Sequence, residues 1–196
     1  MTPRIAPGTR REIGAVNWGL ARLLGIASGS SNPPRLFTTL ARNRRLFRAW
    51  LAFAGMLMPG GKLRRSDTEL VILRVAHNCE CEYEWRHHER LAQLAGLDRE
   101  AVARVRDGAQ APGWTAPQRV LLRAVDELHE GRSLSDECWR ELRPHLSDAQ
   151  AIELCMLIGH YEMLAMTLNA LRVEPDDFGA RVPRVLERLA ARRARS

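Results

Sequence analysis

Apolar residues in this chain recur every three or four positions and almost nowhere every second position, which confines it to helices. Alternating Val, Ile or Thr runs bounded by Asn-Gly or Asp-Gly turns are missing, so no strand is expected. The punctuation of the sequence divides the helices. Arg10 to Ser28 reads as a first helix, and Ser28 to Pro34 as a loop. Pro34 to Ala41 and Arg44 to Met58 read as two helices joined near Asn43, with Pro34 at a first helical position. Ser66 with Glu69 three residues later reads as a capping box opening a buried helix that carries Leu70, Ile72, Leu73, Val75 and Ala76.

A helix from Cys81 to Leu94 follows, closed by Gly96. Asp98 caps a helix to Arg106, and Thr115 caps one to His129. Leu134 to Leu142 is short. Ser147 opens a long apolar helix ended by Pro175, and Val182 to Arg195 reads as a last helix. The expected fold class is therefore all-α. The 196 residues are expected to divide into an N-terminal arm (1–34), a helical domain (35–173) and a basic helical tail (174–196).

The net charge is +7, and every basic residue except Lys62 is arginine. The arginines are scattered, except in the stretch Arg181 to Arg195. A nucleic-acid partner is not expected, because a binding face needs them clustered. No run approaches the roughly 20 uncharged apolar residues of a membrane span, and the expected compartment is the cytoplasm. Four cysteines are too few for a disulfide scaffold at this length. Cys138 and Cys155 are expected to be buried thiols. Trp50, Trp85, Trp114 and Trp139 are expected in the core or an interface. With no Gly-rich phosphate loop after a strand, no organic cofactor is expected.

The chemistry concentrates between Glu69 and His88, the densest set of acids, bases and thiols in the chain. On a helix starting at Cys81, Glu84 is three residues on and His88 seven, so the three share a face. His87 is turned off that face and is expected in solvent. Helical-hairpin packing would bring Glu69 to the same place. A carboxylate beside an imidazole favours the imidazolium, and a thiol near a protonated histidine and a helix N-terminus would be pushed towards thiolate. The bland alternative is a capping box, a surface Glu84–His88 pair and a buried Cys81. Arg74 and Arg86 are candidates to attract a carboxylate. His77, Cys79, Cys81 and His87 or His88 are metal-ligand types, but without the Cys-x2–4-Cys and His-x3–5-His spacing of a closed zinc site, and no metal is assigned. His160 and Tyr161 are expected in the core.

The spacing Glu69-x11-Cys81-x2-Glu84-x3-His88, after a Glu-Leu-(apolar)-Leu-Arg-Val-Ala helix, resembles the carboxymuconolactone decarboxylase family, which includes the alkylhydroperoxidase D-like proteins. Glu82 to Trp85, Ala95 to Leu97 and Gly159 to Met166 with Asn169 add to it, over roughly residues 35 to 173. The resemblance implies an alkylhydroperoxidase D-like helical fold, a homo-oligomer (trimer or hexamer), and Glu69, Cys81, Glu84 and His88 as catalytic residues. The family's peroxidase branch uses two cysteines; the second, which attacks peroxide there, is Glu84 here, so the usual dithiol cycle cannot run at these positions. A Cys79–Cys81 pair would be strained. The resemblance thus implies decarboxylase-like acid–base chemistry on a small acidic or lactone substrate. A one-cysteine, thiol-dependent peroxidase at Cys81 and a helical scaffold without activity stay open as alternatives.

Overall fold

A computed structural model describes residues 2–28, 30 and 32–176. Among these the regular structure is helical, with no strand. The expected Val182–Arg195 helix lies outside the described residues.

The chain forms two compact units, one from the described residues among 1–56 and 168–196, the other from Leu57–Thr167. In the first, α1 (Arg10–Ile13) and α2 (Ala15–Ser28) replace the single expected helix. Gly14, at φ 86° between them, takes a backbone conformation that only glycine adopts freely. Thr9 and Glu12 make a capping box ahead of the break. α3 (Arg35–Leu40) begins one residue later than expected, with Pro34 as its N-cap. α4 (Arg44–Leu57) then packs Phe47 and Trp50 beside Phe37, with Ile13 and Ala41 completing a small buried cluster.

The second unit is built around α5 (Arg65–Asn78), whose residues Thr68 to Leu73, Val75 and Ala76 are all buried. A helix apolar nearly all round has no face to give to water. It packs against α6 (Glu82–Leu94) and α8 (Ala116–Gly131). α7 (Arg99–Arg104) and a following 3₁₀ turn close one end, with Asp98 accepting from the Ala101 amide as the sequence implies. Thr115 and Gln118 box the start of α8, and Ser135 caps α9 (Asp136–Leu142). Leu70, Leu73, Trp85, Val105, Trp114 and Leu122 form the apolar cluster. Arg74 is bound into this frame by two bonds to Asp126 (2.6 and 3.0 Å) and by donation to the Val105 and Arg106 carbonyls. It is therefore a structural clamp and not the carboxylate-attracting arginine for which the sequence made it a candidate.

α10 (Asp148–Leu171) is long and apolar enough to cross a membrane by length and composition, although Glu153 and Glu162 interrupt it; half of its apolar window is buried inside the protein. Its other side carries exposed Ile152, Met156, Met163 and Met166. Cys155, expected in the core, is exposed on this side. The helix is apolar all round, so hydrophobicity alone does not tell the inward residues from the outward ones. Trp139 is likewise 42% exposed, with the Arg143 guanidinium over its ring, while Cys138 is buried.

Candidate active site

The capping box expected at Ser66 and Glu69 is not formed. α5 starts at Arg65, with Arg64 as N-cap, so Ser66 lies inside the first turn. Glu69 is free to turn inward, where its carboxylate makes two charge-assisted contacts worth more than one cap bond. Oε1 meets Arg65 Nη2 at 2.6 Å, one helical turn back. Oε2 accepts from His88 Nδ1 at 2.7 Å. The other ring nitrogen of His88 lies 3.2 Å from Glu84 Oε2, one turn earlier on α6. Glu69, Glu84 and His88 are all buried, while Arg65 keeps part of its side chain in solvent.

The result is a line of alternating charge, Arg65–Glu69–His88–Glu84, neutral in sum when the imidazole carries its proton. Burial alone would drive the His88 pKa down; the charges and hydrogen bonds of Glu69 and Glu84 outweigh it and lift the pKa to about 9. The imidazolium is the resting form at neutral pH. Glu84 Oε1 is buried and finds no hydrogen-bond partner among the described residues. An acceptor in that condition is a point where a proton or a ligand donor is wanted. Tyr161, from α10, lays its ring edge-on to His88 at 5.2 Å. Burial first, then the charges of Glu84 and Glu69, raise its pKa well above 10, so it stays neutral.

Cys81 is the N-cap of α6 and is buried. Proximity to His88 was expected to favour thiolate. Burial dominates instead, and with the charge of Glu84 it outweighs the lowering effect of backbone donors, lifting the pKa to about 12. The thiol also lines a cleft of about 430 Å³ together with His77, Trp85 and Arg106. Glu69, Glu84 and His88 do not line this cleft, whereas Cys81 lines it and also feels the charge of Glu84. Arg106, which sequence reading missed, stacks its guanidinium 4.0 Å over the Trp85 ring. Arg86, by contrast, pairs with Glu82 on the surface. His87 is half-buried and not in solvent as expected; its ring is 5.2 Å from that of His88. Burial and the neighbouring imidazolium push its pKa down to about 3. His160 is buried as expected, with its pKa lowered to about 4 by burial.

The ligand types crowded between His77 and His88 do not converge on one point. Neither Cys79 nor Cys81 forms a disulfide. Cys79 instead brings its sulfur to His129 and Glu162, on other helices. Of the residues sequence reading singled out, Glu69, Glu84 and His88 therefore meet directly and Cys81 borders them. Arg65 and Tyr161 join them without having been singled out as partners. Arg65 had a findable signal, the i, i+4 spacing to Glu69.

Known proteins extend this picture. Residues 44–127 match the model of the carboxymuconolactone decarboxylase family. The fold is similar to that of an alkylhydroperoxidase AhpD core, an uncharacterized peroxidase-related protein from Ralstonia eutropha JMP134 (TM-score 0.78, 17% identity, 89% of this chain and 93% of that one). A peroxidase-related protein from Silicibacter sp. TM1040 is as similar (TM-score 0.78, 17% identity, 92% and 98% covered). The debrominase Bmp8 gives a TM-score of 0.72 at 16% identity, over 95% of this chain and 97% of that one. Comparison with curated proteins finds no match. The fold is of the alkylhydroperoxidase D-like helical type. The stretch 44–127 carries the similarity to the carboxymuconolactone decarboxylase family.

Proposed function

We propose that the protein is an acid–base enzyme of the decarboxylase-like kind, acting on a small acidic or lactone substrate. The observation that carries this reading is the His88 imidazole held between two buried carboxylates, with Glu84 Oε1 left unpartnered. Such a line can accept a proton at one end and release one at the other with little reorganisation. The substrate would lie in the cleft, its carboxylate on the exposed Arg106 and its flat part against Trp85. Cys81 would be the group in contact with it. Its neutral S–H would donate to an enolate or lactone oxygen and be reprotonated from Glu84, which His88 replenishes through Nε2.

The test is turnover of carboxymuconolactone and related lactone or 3-keto acids, followed by carbon dioxide release across pH. Activity is expected in the wild type and lost in Glu84→Gln and His88→Asn. No turnover by the wild type, or unchanged rates in both variants, overturns the assignment. A thiol-dependent peroxidase is the second reading, favoured by one observation, the Cys81 thiol at the cleft. Its high pKa and the carboxylate at position 84 count against it. Free thiols counted before and after stoichiometric peroxide separate the two, since the acid–base reading consumes none.

A homo-oligomer is also proposed. Ile152, Met156, Met163 and Met166 recur at alternating four, seven and three-residue intervals on one exposed stripe of α10, the spacing of a helix–helix seam. Light scattering on the eluting protein reads the mass, and Met156→Glu with Met163→Glu is expected to reduce it to that of one chain. A single-chain mass for the wild type refutes this.

A further inference from the structure

A second cluster of reactive side chains includes Cys79, two residues before Cys81, and the proposed function does not use it. Cys79 is the residue that ends α5, at the C-cap. His129 is in the last turn of α8, and Glu162 is near the middle of α10. Their ligand atoms (Cys79 Sγ, one His129 ring nitrogen and a Glu162 oxygen) all lie within 4.8 Å of one another. His129 Nδ1 is 2.6 Å from Glu162 Oε1, and the Glu162 carboxylate also accepts from the Cys79 thiol. The Glu162 side chain is only 13% exposed and that of His129 31%, so the cluster is recessed but reachable from solvent.

We infer that Cys79, His129 and Glu162 form a binding site for a divalent transition ion of the zinc class. The donor set decides the class. A thiolate and an imidazole select zinc, cobalt or a similar ion, whereas calcium and magnesium require oxygen ligands throughout. Three protein ligands leave one position of a tetrahedron open for water or a small ligand. The spacing needs little change: the three donor atoms already lie within 4.8 Å of one another, and the His129–Glu162 bond must open by less than an ångström to admit an ion bonded at about 2.0 Å to each.

The charges balance. The ion brings two positive charges; the Glu162 carboxylate supplies one negative charge and Cys79 the other, by giving its thiol proton to solvent. Imidazole binds neutral, through the nitrogen that now donates to Glu162. The bound state is thus electrically neutral, which suits a recessed place. The other charged group at the cluster is Arg132, whose Nη1 is 3.6 Å from Glu162 Oε2 and whose side chain is 73% exposed. Its guanidinium competes with the ion for the carboxylate and must swing outward. The ion would tie the end of α5 to α8 and α10, and so fix the turn that leads to Cys81.

The test uses the full-length chain, untagged, reduced and freed of metal by a chelator. Cobalt(II) is titrated as the spectroscopic probe and zinc as its competitor. One equivalent is expected to bind, with a thiolate-to-cobalt charge-transfer band and release of at least one proton. The band is expected to be absent in Cys79→Ser and retained in Cys81→Ser and Cys155→Ser. His129→Gln and Glu162→Gln should each weaken binding by more than the roughly 10–100-fold that an outer-shell partner costs. Arg132→Asn, which keeps a residue tolerant of the positive φ there (59°), should tighten it. If Cys79→Ser does not fold, the wild type still decides: zinc should protect Cys79 from iodoacetamide, read by peptide mass against the metal-free protein. No band in the wild type, a band that survives Cys79→Ser, or no protection of Cys79 overturns the assignment.

Discussion

Replacing Glu69 by glutamine keeps the shape of the buried line and removes the larger of the two influences that hold His88 protonated. The size of the effect follows from the histidine itself. Its pKa of about 9 stands against an ordinary 6.5, a gap worth on the order of 3 kcal/mol at 1.36 kcal/mol per pH unit. A pKa raised on folding means that the native state holds a proton the unfolded chain has released. The stability it confers is therefore complete below pH 6.5 and is lost as pH rises through about 9. Between pH 7 and 8.5 the wild type should lose roughly 1 kcal/mol per pH unit. Urea unfolding across that interval measures the slope, and the imidazole resonance of His88 in NMR measures the pKa directly. The groups facing the ring are Glu69, Glu84, His87 and Tyr161, with Arg65 behind Glu69. None but Glu69 changes in the variant. Glu69→Gln should flatten the slope and bring the His88 resonance midpoint down by at least one pH unit. A wild-type stability that is level from pH 7 to 8.5, or an unmoved midpoint in Glu69→Gln, refutes the charge-line account.

Three further outcomes follow from the same contacts. Arg65→Ala leaves Glu69 Oε1 buried without its 2.6 Å partner and should cost about 2 kcal/mol in urea, less than a fully buried pair because Arg65 is partly in solvent. Arg74→Ala strands Asp126 and two carbonyls, and should cost about 3 kcal/mol while leaving the His88 midpoint unchanged. Below pH 6.5 stability should fall again, because His87 and His160, with pKa values lowered to about 3 and 4, stay neutral when folded but take up protons when unfolded; thermal melts at pH 4.5 and 6.5 check it.

The helices were legible wherever a side chain acts locally. Asp98, Thr115 and Ser135 cap the helices they introduce because the bond each makes spans only three residues. The meeting of Glu69, Glu84 and His88 could also be read, since Glu84 and His88 are one turn apart and the two helices form a hairpin. Local reasoning failed where a distant partner outbid a near one. Glu69 had a plausible cap role beside Ser66, and the imidazole 19 positions away won it. Cys155 was misplaced because composition cannot say which side of an apolar helix turns outward. Cys79, His129 and Glu162 share no helix, and only the packing of three separate elements brings them together.

Cys81 touches both the cleft and, through Glu84, the hidden charges. That gives one residue two neighbourhoods. A change of side chain at this position is felt on the cleft wall and at Glu84 together, so neither can be altered from here alone.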